Sequence, residues 1–395
     1  MSNVILPSLN FSEAGKTLWP VVVIGAGPAG AMTAHQLARA GMRVLLIDKA
    51  AFPRDKVCGC CLNRVALRAL EHAGMKNIVE RRTSRIHSFS LHLGRNSAAV
   101  DLIDGVAISR SALDAAMVNE AVNAGAHFLP NTQASVLPQE AVITRTALIM
   151  STSGEESRIE AQIIIIADGL GGTSLQYMKE FDAVVSDNSL IGAGTIVSCD
   201  SQDYHEGTIY MAVGKHGYVG IVRIEDGRLD VAAALEKEAV KEAKSPAALA
   251  CDILGSAHLP EVKELLHAKW HGTVPLTRRR RRLAGHRLLV IGDAALYIEP
   301  FTGEGISWAL RCGLAVSKMI AKELEINSAE CWNPHMVSAW SRMHRQLIEN
   351  REQPTRILAA ALRRPKILAC ALAAVNHFPW LSKPVLTYMD GVCDV

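Results

Sequence analysis

The sequence predicts an α/β fold built on a parallel sheet, with an inserted and mostly antiparallel β domain and a helical C-terminal tail. Apolar runs at residues 21–24 and 288–291 each end at a glycine and lead into a helical pattern, which is typical of buried parallel strands. Between these runs, residues 206–235 form three alternating segments separated by turns at hairpin spacing. The first observation predicts a doubly wound α/β unit, and the second predicts an antiparallel sheet inserted into it.

The first strand leads into a Gly-x-Gly-x-x-Gly motif formed by Gly25, Gly27 and Gly30, and a helix is predicted over residues 31–40. Gly25 allows the tight turn, Gly27 lets the backbone approach a diphosphate, and Gly30 permits close packing of the helix on the strand. Asp48 ends the second strand, where a carboxylate accepts the hydroxyls of an adenosine ribose. This Rossmann-like unit is predicted to bind the ADP half of a dinucleotide. The alternative is a glycine-rich turn with no ligand.

Length and composition limit the domain count and the class of partner. A chain of 395 residues with 49% hydrophobic residues is expected to form two domains, and a net charge of +3 does not indicate a nucleic-acid partner. The nine cysteines are mostly scattered, which favours reduced thiols over a disulfide framework. Residues 1–19 do not resemble a secretion signal, and no apolar run is long enough to cross a bilayer. We therefore expect a cytoplasmic protein.

Three thiols lie in the irregular loop 52–61 that follows the second strand. A metal site is one interpretation, but the spacing lacks the paired cysteines and nearby histidines of a structural zinc site, so no metal is expected. A redox thiol pair is a second interpretation. The third, which we favour, is a loop whose backbone and Cys58 lie against a flat ring, with Arg54 or Lys56 close to negative charge.

Two charged residues stand at element ends where a ligand is expected. Arg110 follows Ser109 in the first turn of a helix, where a cation opposes the helix dipole, so its guanidinium is expected to face an anion such as a cofactor phosphate. An ordinary surface salt bridge is the alternative. Asp168 ends the strand 163–166 at the ligand-binding edge of a parallel sheet, and it either contacts the cofactor or caps a turn.

The three antiparallel segments are expected to form the wall of a substrate chamber. Tyr210, His216 and Tyr218 are the polar side chains on this wall that we expect to point into the chamber. For each of them the alternative is an exposed position or a satisfied position in the core.

The apolar run 288–291 is the second one that predicts a parallel strand leading into a helix. It is followed by Gly292, Asp293, a loop that contains proline, and a glycine-flanked helix start at 303–306. An aspartate at this position can hold a ribityl hydroxyl, and the amides of the helix start can donate to the N1–C2=O edge of an isoalloxazine. A nicotinamide dinucleotide needs no such second strand, acid and helix. The dinucleotide is therefore predicted to be FAD.

Taken in this order, the motifs resemble the FAD-binding set of the aromatic-hydroxylase (group A flavin monooxygenase) and geranylgeranyl reductase superfamily. The resemblance covers roughly residues 21–324. It implies a glutathione-reductase-type FAD-binding domain, one FAD bound extended across it, and a mostly β substrate domain over the flavin. It also implies that there is no separate nicotinamide-binding fold, and the sequence contains one Gly-x-Gly-x-x-Gly motif only.

The resemblance and the motifs together give two sets of candidate site residues. The residues expected to bind FAD are Gly25, Gly27, Ala29, Gly30, Asp48, Lys49, Arg54, Cys58, Gly59, Arg110, Asp168, Gly292, Asp293, Pro300, Gly303, Gly305 and Ile306. The residues expected at the reaction centre are Cys58, Pro300, Gly303 and Glu304 near the flavin, with His216 and Tyr218 as substrate contacts.

The resemblance implies an FAD-dependent monooxygenase that is reduced by NADPH or NADH and hydroxylates an apolar or aromatic small molecule through a flavin C4a-hydroperoxide. The alternative is a flavin reductase or dehydrogenase that acts on carbon–carbon bonds, because residues 52–59 and 302–306 are similar to the geranylgeranyl reductase branch. Residues 218–223 differ from that branch, since they lack the tryptophan and proline of its Tyr-x-Trp-x-Phe-Pro strand. A third hypothesis is a non-catalytic flavoprotein scaffold.

These patterns predict three structural units. The FAD-binding domain is expected at 19–84, 105–180 and 280–328, the substrate domain at 85–104 and 181–279, and a helical C-terminal lid at 329–395.

Two further stretches are candidates for partner binding. The arginine run 278–282 is interpreted as a solvated connector, because the whole chain is near neutral. Cations among apolar residues in the tail leave peripheral membrane contact as the alternative to a lid over the substrate opening.

Overall fold

The computed structural model describes residues 4–80, 83–138, 143–199, 201–299, 301, 303–326 and 330–382. The strands in this part of the chain are β1 (Leu18–Ile24), β2 (Val44–Ile47), β3 (Cys61–Leu62), β4 (Ser84–Leu93), β5 (Asn96–Ala107), β6 (His127–Leu129), β7 (Thr132–Val136), β8 (Arg145–Ser151), β9 (Glu156–Ile166), β10 (Ala183–Val185), β11 (Ile191–Val197), β12 (Thr208–Gly214), β13 (Gly217–Arg223), β14 (Leu229–Leu235), β15 (His271–Pro275), β16 (Arg278–Arg280), β17 (Ala284–Gly285), β18 (Leu288–Val290) and β19 (Leu296–Tyr297). The helices are α1 (Phe11–Lys16), α2 (Pro28–Arg39), α3 (Arg64–His72), α4 (Asn77–Glu80), α5 (Arg110–Asn123), α6 (Lys237–Glu242), α7 (Pro246–Ser256), α8 (Gly305–Ile326), α9 (His335–Leu362) and α10 (Pro365–His377).

The first sheet contains the predicted parallel strands in the order β18-β9-β1-β2-β6, and β8 adds antiparallel to β9. Val23 of β1 pairs with Leu46 on one side and with Ile165 on the other. The paired segments 21–24, 44–47, 163–166 and 288–290 are apolar throughout because both faces of the sheet are covered there. Helices α2, α5 and α8 cover one face, and β7 and β8 with residues 175–181 cover the other. The predicted α/β class is confirmed.

The second sheet has the strand order β15-β11-β14-β13-β12-β4-β5-β3 and is antiparallel except where β12 runs parallel to β4. It contains the predicted hairpins β12–β13 and β13–β14. One face packs on α7 through β12 and β13, in a core cluster that contains Leu229, Val231 and Ile253. The opposite face is turned towards a cavity beside the first sheet. Helix α7 ends at Ser256.

The arginine run is solvated only in part, since Arg279, Arg281 and Arg282 are exposed while Arg278 and Arg280 are half-buried. Arg278–Arg280 forms β16, the middle strand of a small third sheet with β10 and β19. Arg280 donates to the carbonyl oxygens of Ala294 and Phe181, and the Arg282 guanidinium lies over the Phe181 ring. Arg280 therefore fixes the run to the loops that follow β9 and β18, because its guanidinium satisfies a backbone carbonyl in each of them.

The C-terminal helices pack on both sheets. Trp340 of α9 is fully buried against the first domain, and its indole Nε1 donates to the Val290 carbonyl at 2.9 Å. Helix α9 continues through Pro354. Helix α10 packs on β5, and its Leu368 and Leu372 join a cluster that includes Phe301. None of the helices in the described part of the chain is long and apolar enough to cross a bilayer. The division into three units stays a prediction.

Candidate active site

The glycine turn after β1 leaves no room for side chains at two of its positions. Gly25 has φ +105°, and a Cβ there would lie 2.3 Å from the Ala167 carbonyl oxygen. A Cβ on Gly30 would lie 1.8 Å from the Gly25 carbonyl oxygen. The structure thus contains the predicted tight turn and close helix packing, with α2 beginning directly after Gly27.

Asp48 is buried at the carboxyl end of β2 and holds this turn together. Its Oδ2 accepts the Ala26 amide at 2.8 Å, and its Oδ1 accepts the Ala50 amide at 2.9 Å. The carboxylate therefore fixes the turn of the motif, and its expected contact with a ribose stays a prediction. Lys49 is exposed at the surface.

Two guanidinium groups flank the glycine turn and share one buried carboxylate. Arg110 forms a bidentate pair with Asp114, with N–O distances of 2.9 and 2.7 Å, and Arg54 lies 3.3 Å from the same carboxylate. The two arginines lie 3.7 and 3.8 Å from the position of a Cβ on Gly27. Among the described residues, the buried Arg54 Nε has no hydrogen-bond partner. Arg110 thus forms a salt bridge, but a buried one instead of the surface pair of the alternative, and the two arginines also face the place predicted for a diphosphate.

A cavity of about 520 Å³ extends from this turn to the second sheet. At one end it is bounded by Pro28, Arg110, and the start of α8 at Gly303, Gly305 and Ile306. At the other end its wall is apolar and includes Phe89, Leu102, Ile209, Met211, Val274 and Leu276. The loop 55–63 forms one side between these two ends.

Lys56 and Asp293 face each other at this cavity, with Nζ and Oδ2 3.9 Å apart. Asp293 lies in the 3₁₀ turn Gly292–Ala294 directly after β18. This is the place at which the sequence predicted an aspartate that can hold a ribityl hydroxyl. Burial raises the pKa of the Asp293 carboxyl, and burial lowers the pKa of the Lys56 ammonium. Both side chains are only partly buried, so a polar ligand in the cavity can bond to both groups.

The three thiols of the loop all line the cavity. A hydrogen bond with the Cys60 thiol, supported by the charge of Arg110, lowers the pKa of Cys58 to about 6 although burial opposes this. The same hydrogen bond and burial raise the pKa of Cys60 well above its ordinary value, and burial raises that of Cys61. At neutral pH the loop therefore presents one thiolate, at Cys58, and two neutral thiols.

The two expected substrate contacts are separated by the structure. Tyr218 lines the cavity and packs edge-on against Phe301, with ring centroids 5.4 Å apart. His216 lies outside the cavity in the β12–β13 turn, where Nδ1 is 2.8 Å from Glu236. Tyr210 also points away, because side chains alternate along β12 and its neighbours Ile209 and Met211 take the inward positions. The expectations for His216 and Tyr210 are wrong.

Other expected site residues have structural roles or lie outside the described residues. Glu304 is buried outside the cavity lining, and its carbonyl accepts the Ser307 hydroxyl and the Trp308 amide at the start of α8. Asp168 accepts the Ser174 amide at 3.0 Å, which supports the turn-capping alternative. Pro300 lies outside the described residues.

Two further residues expected to bind FAD act in helix packing. A Cβ on Gly313 of α8 would lie 2.7 Å from the Ala29 carbonyl oxygen, and a Cβ on Gly292 would lie 2.9 Å from the Ala29 Cβ. Ala29 and Gly292 therefore allow α2, α8 and the turn after β18 to approach closely. At the start of α2, Pro28 lines the cavity.

Asp230 is the site residue that sequence reasoning missed. It lies on the inward face of β14, lines the cavity and is only 5% exposed. Burial raises the pKa of its carboxyl well above the ordinary value. The sequence does contain a signal for it, since Asp230 is an acid within an otherwise apolar strand. It stands on the same face of that strand as Ala232 and Ala234.

The residues around the cavity fit a bound flavin dinucleotide. At Gly59, Gly303 and Gly305, none of the described residues has an atom within 4 Å of an added Cβ, so a flat ring can approach the backbone at these points. The start of α8 directs the positive end of the helix dipole to the same end of the cavity. The glycine turn with its two arginines provides for a diphosphate.

Comparison with known proteins supports this assignment. Residues 19–329 match the protein family described as FAD binding domain. A menaquinone reductase of Mycolicibacterium smegmatis is 24% identical over 79% of this chain and 78% of its own length. A digeranylgeranylglycerophospholipid reductase of Methanosarcina acetivorans is 27% identical over 75% of this chain and 74% of its own length.

A solved flavoprotein/dehydrogenase structure from Cytophaga hutchinsonii has the same fold, with a TM-score of 0.77 at 18% identity over 95% of this chain and 93% of its own. The predicted family, fold class and FAD dependence are thereby confirmed. The chain belongs to the FAD binding domain family and is an FAD-dependent oxidoreductase.

Proposed function

We propose that the protein is an FAD-dependent reductase that saturates a carbon–carbon double bond in an apolar, isoprenoid-like molecule, with NADPH or NADH as reductant. The observation that carries the proposal is the composition of the cavity. The apolar end of the cavity meets the end that fits a flavin at Cys58, Cys60, Cys61 and Asp230, a place that we call the junction. The junction holds a thiolate, neutral thiols and a buried carboxyl. Saturation of a double bond needs a hydride at one carbon and a proton at the other, and this junction can supply the proton.

The apolar end of the cavity favours a hydrocarbon substrate. Phe89, Ile209 and Met211 come from adjacent strands of the second sheet, and Val274 and Leu276 close the wall from the segment that begins with β15. Burial of apolar surface against such a wall contributes roughly 25 cal/mol per Å². A long unsaturated chain therefore gains its affinity here without a charged contact.

Each part of the cavity has a distinct task in this reaction. Arg54 and Arg110 would hold the diphosphate, and Asp293 would hold the ribityl chain. When bound, the flavin supplies the hydride for the substrate. The side chains of the second sheet orient the double bond and exclude water from it, and the helix start of α8 favours negative charge on the bound group.

The two relatives named above also favour reduction. They are named for menaquinone and for a digeranylgeranylglycerophospholipid. Both compounds contain isoprenoid chains with carbon–carbon double bonds, which is the substrate class that the cavity fits. The hydroxylation that the sequence analysis put first stays a prediction, and so does the choice between NADPH and NADH.

The test uses the purified holoenzyme with geranylgeranyl diphosphate and with menaquinone under argon. We expect the flavin to bleach with one of the nicotinamides and the substrate to gain hydrogen atoms in pairs, as measured by mass spectrometry. Uptake of one oxygen atom per substrate in air, with no anaerobic product, would establish hydroxylation instead. Failure of both nicotinamides to bleach the flavin would favour the scaffold hypothesis.

A further inference from the structure

Asp230 is a carboxyl group in an environment that disfavours its charge. Its neighbours on the inward face of β14 are Ala232 and Ala234, and it lies opposite Val222 on β13. Within the described part of the chain, its Oδ2 has no hydrogen-bond partner. An ionised carboxylate buried without compensation is costly, and such a group takes up a proton instead.

The groups that face Asp230 strengthen this effect. Burial is the largest cause that raises its pKa, and the negative charge on Cys58 and that of Glu225 act in the same direction. A hydrogen bond with the Cys60 thiol opposes them but is outweighed. Burial, the unpartnered Oδ2 and the neighbouring negative charges therefore all favour the protonated form of this carboxyl, which lines the cavity.

The neighbouring thiols are less suited to deliver a proton. Cys58 is largely a thiolate at neutral pH, because its pKa is about 6, and so it has no proton to give. Cys60 holds its proton too tightly, since its hydrogen bond with Cys58 and its burial raise its pKa well above the ordinary value. Asp230 is thus the group at the junction whose protonated form is favoured and which lines the cavity, so it can pass its proton to a bound substrate.

We propose that Asp230 is the acid that protonates the substrate carbon during saturation of the double bond, an inference that rests on the proposed function. The O–H bond of Asp230 breaks, and the π electrons of the substrate form a C–H bond with this proton. The other carbon accepts the hydride from the bound reduced cofactor, which NADPH or NADH reduces again. The carboxylate regains a proton from solvent when the product leaves the cavity.

The experiment compares the unmodified holoenzyme with Asp230→Asn, which keeps the size of the side chain but cannot act as an acid. The matched control is Asp226→Asn, since Asp226 lies in the preceding turn and pairs with the exposed Arg228. We expect Asp230→Asn to slow saturation at least about 100-fold, the contribution typical of a general acid. Flavin content, melting temperature and flavin bleaching by the nicotinamide should stay unchanged in both variants.

Infrared spectroscopy with carbon-13 in the aspartate carboxyls provides a second measurement that does not depend on turnover. We expect a protonated-carboxyl band at neutral pH in the unmodified enzyme and in Asp226→Asn, and no such band in Asp230→Asn. Absence of the band from the unmodified enzyme, or full saturation activity in Asp230→Asn, would overturn the donor role while reduction by the unmodified enzyme stands. If the unmodified enzyme adds oxygen and never hydrogen, the proposed function fails and the donor role fails with it.

Discussion

Gly30 packs so closely on Gly25 that a Cβ at Gly30 would lie 1.8 Å from the Gly25 carbonyl oxygen. The contact is between backbone atoms of the turn and of α2, so neither partner can rotate away. This relationship sets the direction of α2 and with it the position of the amides at the start of that helix.

We expect Gly30→Ala to abolish FAD retention and to lower the free energy of unfolding by about 1–3 kcal/mol or more, because the methyl group overpacks a rigid contact. Flavin absorbance of the purified protein and urea titration measure the two effects. Gly255→Ala is the matched control. A Cβ there has no described atom within 4 Å, and alanine in α7 should stabilise the protein by about 0.4–1 kcal/mol. A yellow Gly30→Ala protein of unchanged stability would contradict the packing argument.

The reactivity of Cys58 should depend on Cys60. Alkylation follows the thiolate fraction, which rises with pH through the pKa, so modification of Cys58 by iodoacetamide should be half-maximal near pH 6. In Cys60→Ala the midpoint should move to higher pH, because the thiolate loses the hydrogen bond that lowers its pKa most. Peptide mass spectrometry over a pH series gives both midpoints. A midpoint near the ordinary value of 9.0 in the unmodified protein would show that the thiol pair is not coupled.

Substitutions on the second sheet should distinguish residues that line the cavity from residues that lie outside it. Met211→Trp narrows the apolar end of the cavity, so KM for a long isoprenoid should rise about tenfold or more. His216→Ala should leave KM and kcat unchanged, since His216 lies outside the cavity beside Glu236. Both variants are measured by steady-state kinetics, with the substrate that the anaerobic test of the proposed function identifies. Equal effects of the two substitutions would contradict the placement of the chamber.

The anchoring of α9 can be tested with two tryptophans of the tail. Trp340→Ala should lower the free energy of unfolding by about 3–5 kcal/mol, because it removes a fully buried side chain and its hydrogen bond to Val290. Trp380→Ala should stay within about 0.5 kcal/mol of the unmodified protein, since Trp380 is 62% exposed. Denaturant titration of the two variants provides the comparison. A near-neutral Trp340→Ala would mean that α9 does not stabilise the first domain.

The sequence by itself determined the elements whose signals are local. Four β-branched residues before Gly25, the spacing of the glycines, and Asp48 at the end of a second apolar run predict the strand, turn and helix that the structure contains. The hairpin spacing around β13 likewise predicts the antiparallel segments. Such patterns are readable because backbone geometry fixes which residues of one element share a face.

The tertiary structure alone decided which side chains meet. Asp230 faces Cys58 and Cys60, which are far from it in the sequence, because the register of β14 and the packing of the loop on the second sheet bring them together. The same long-range geometry turns His216 away from the cavity and converts the arginine run into a strand. Periodicity within one element carries no information about the register between distant elements, so contacts of this kind appear only when the whole chain has packed.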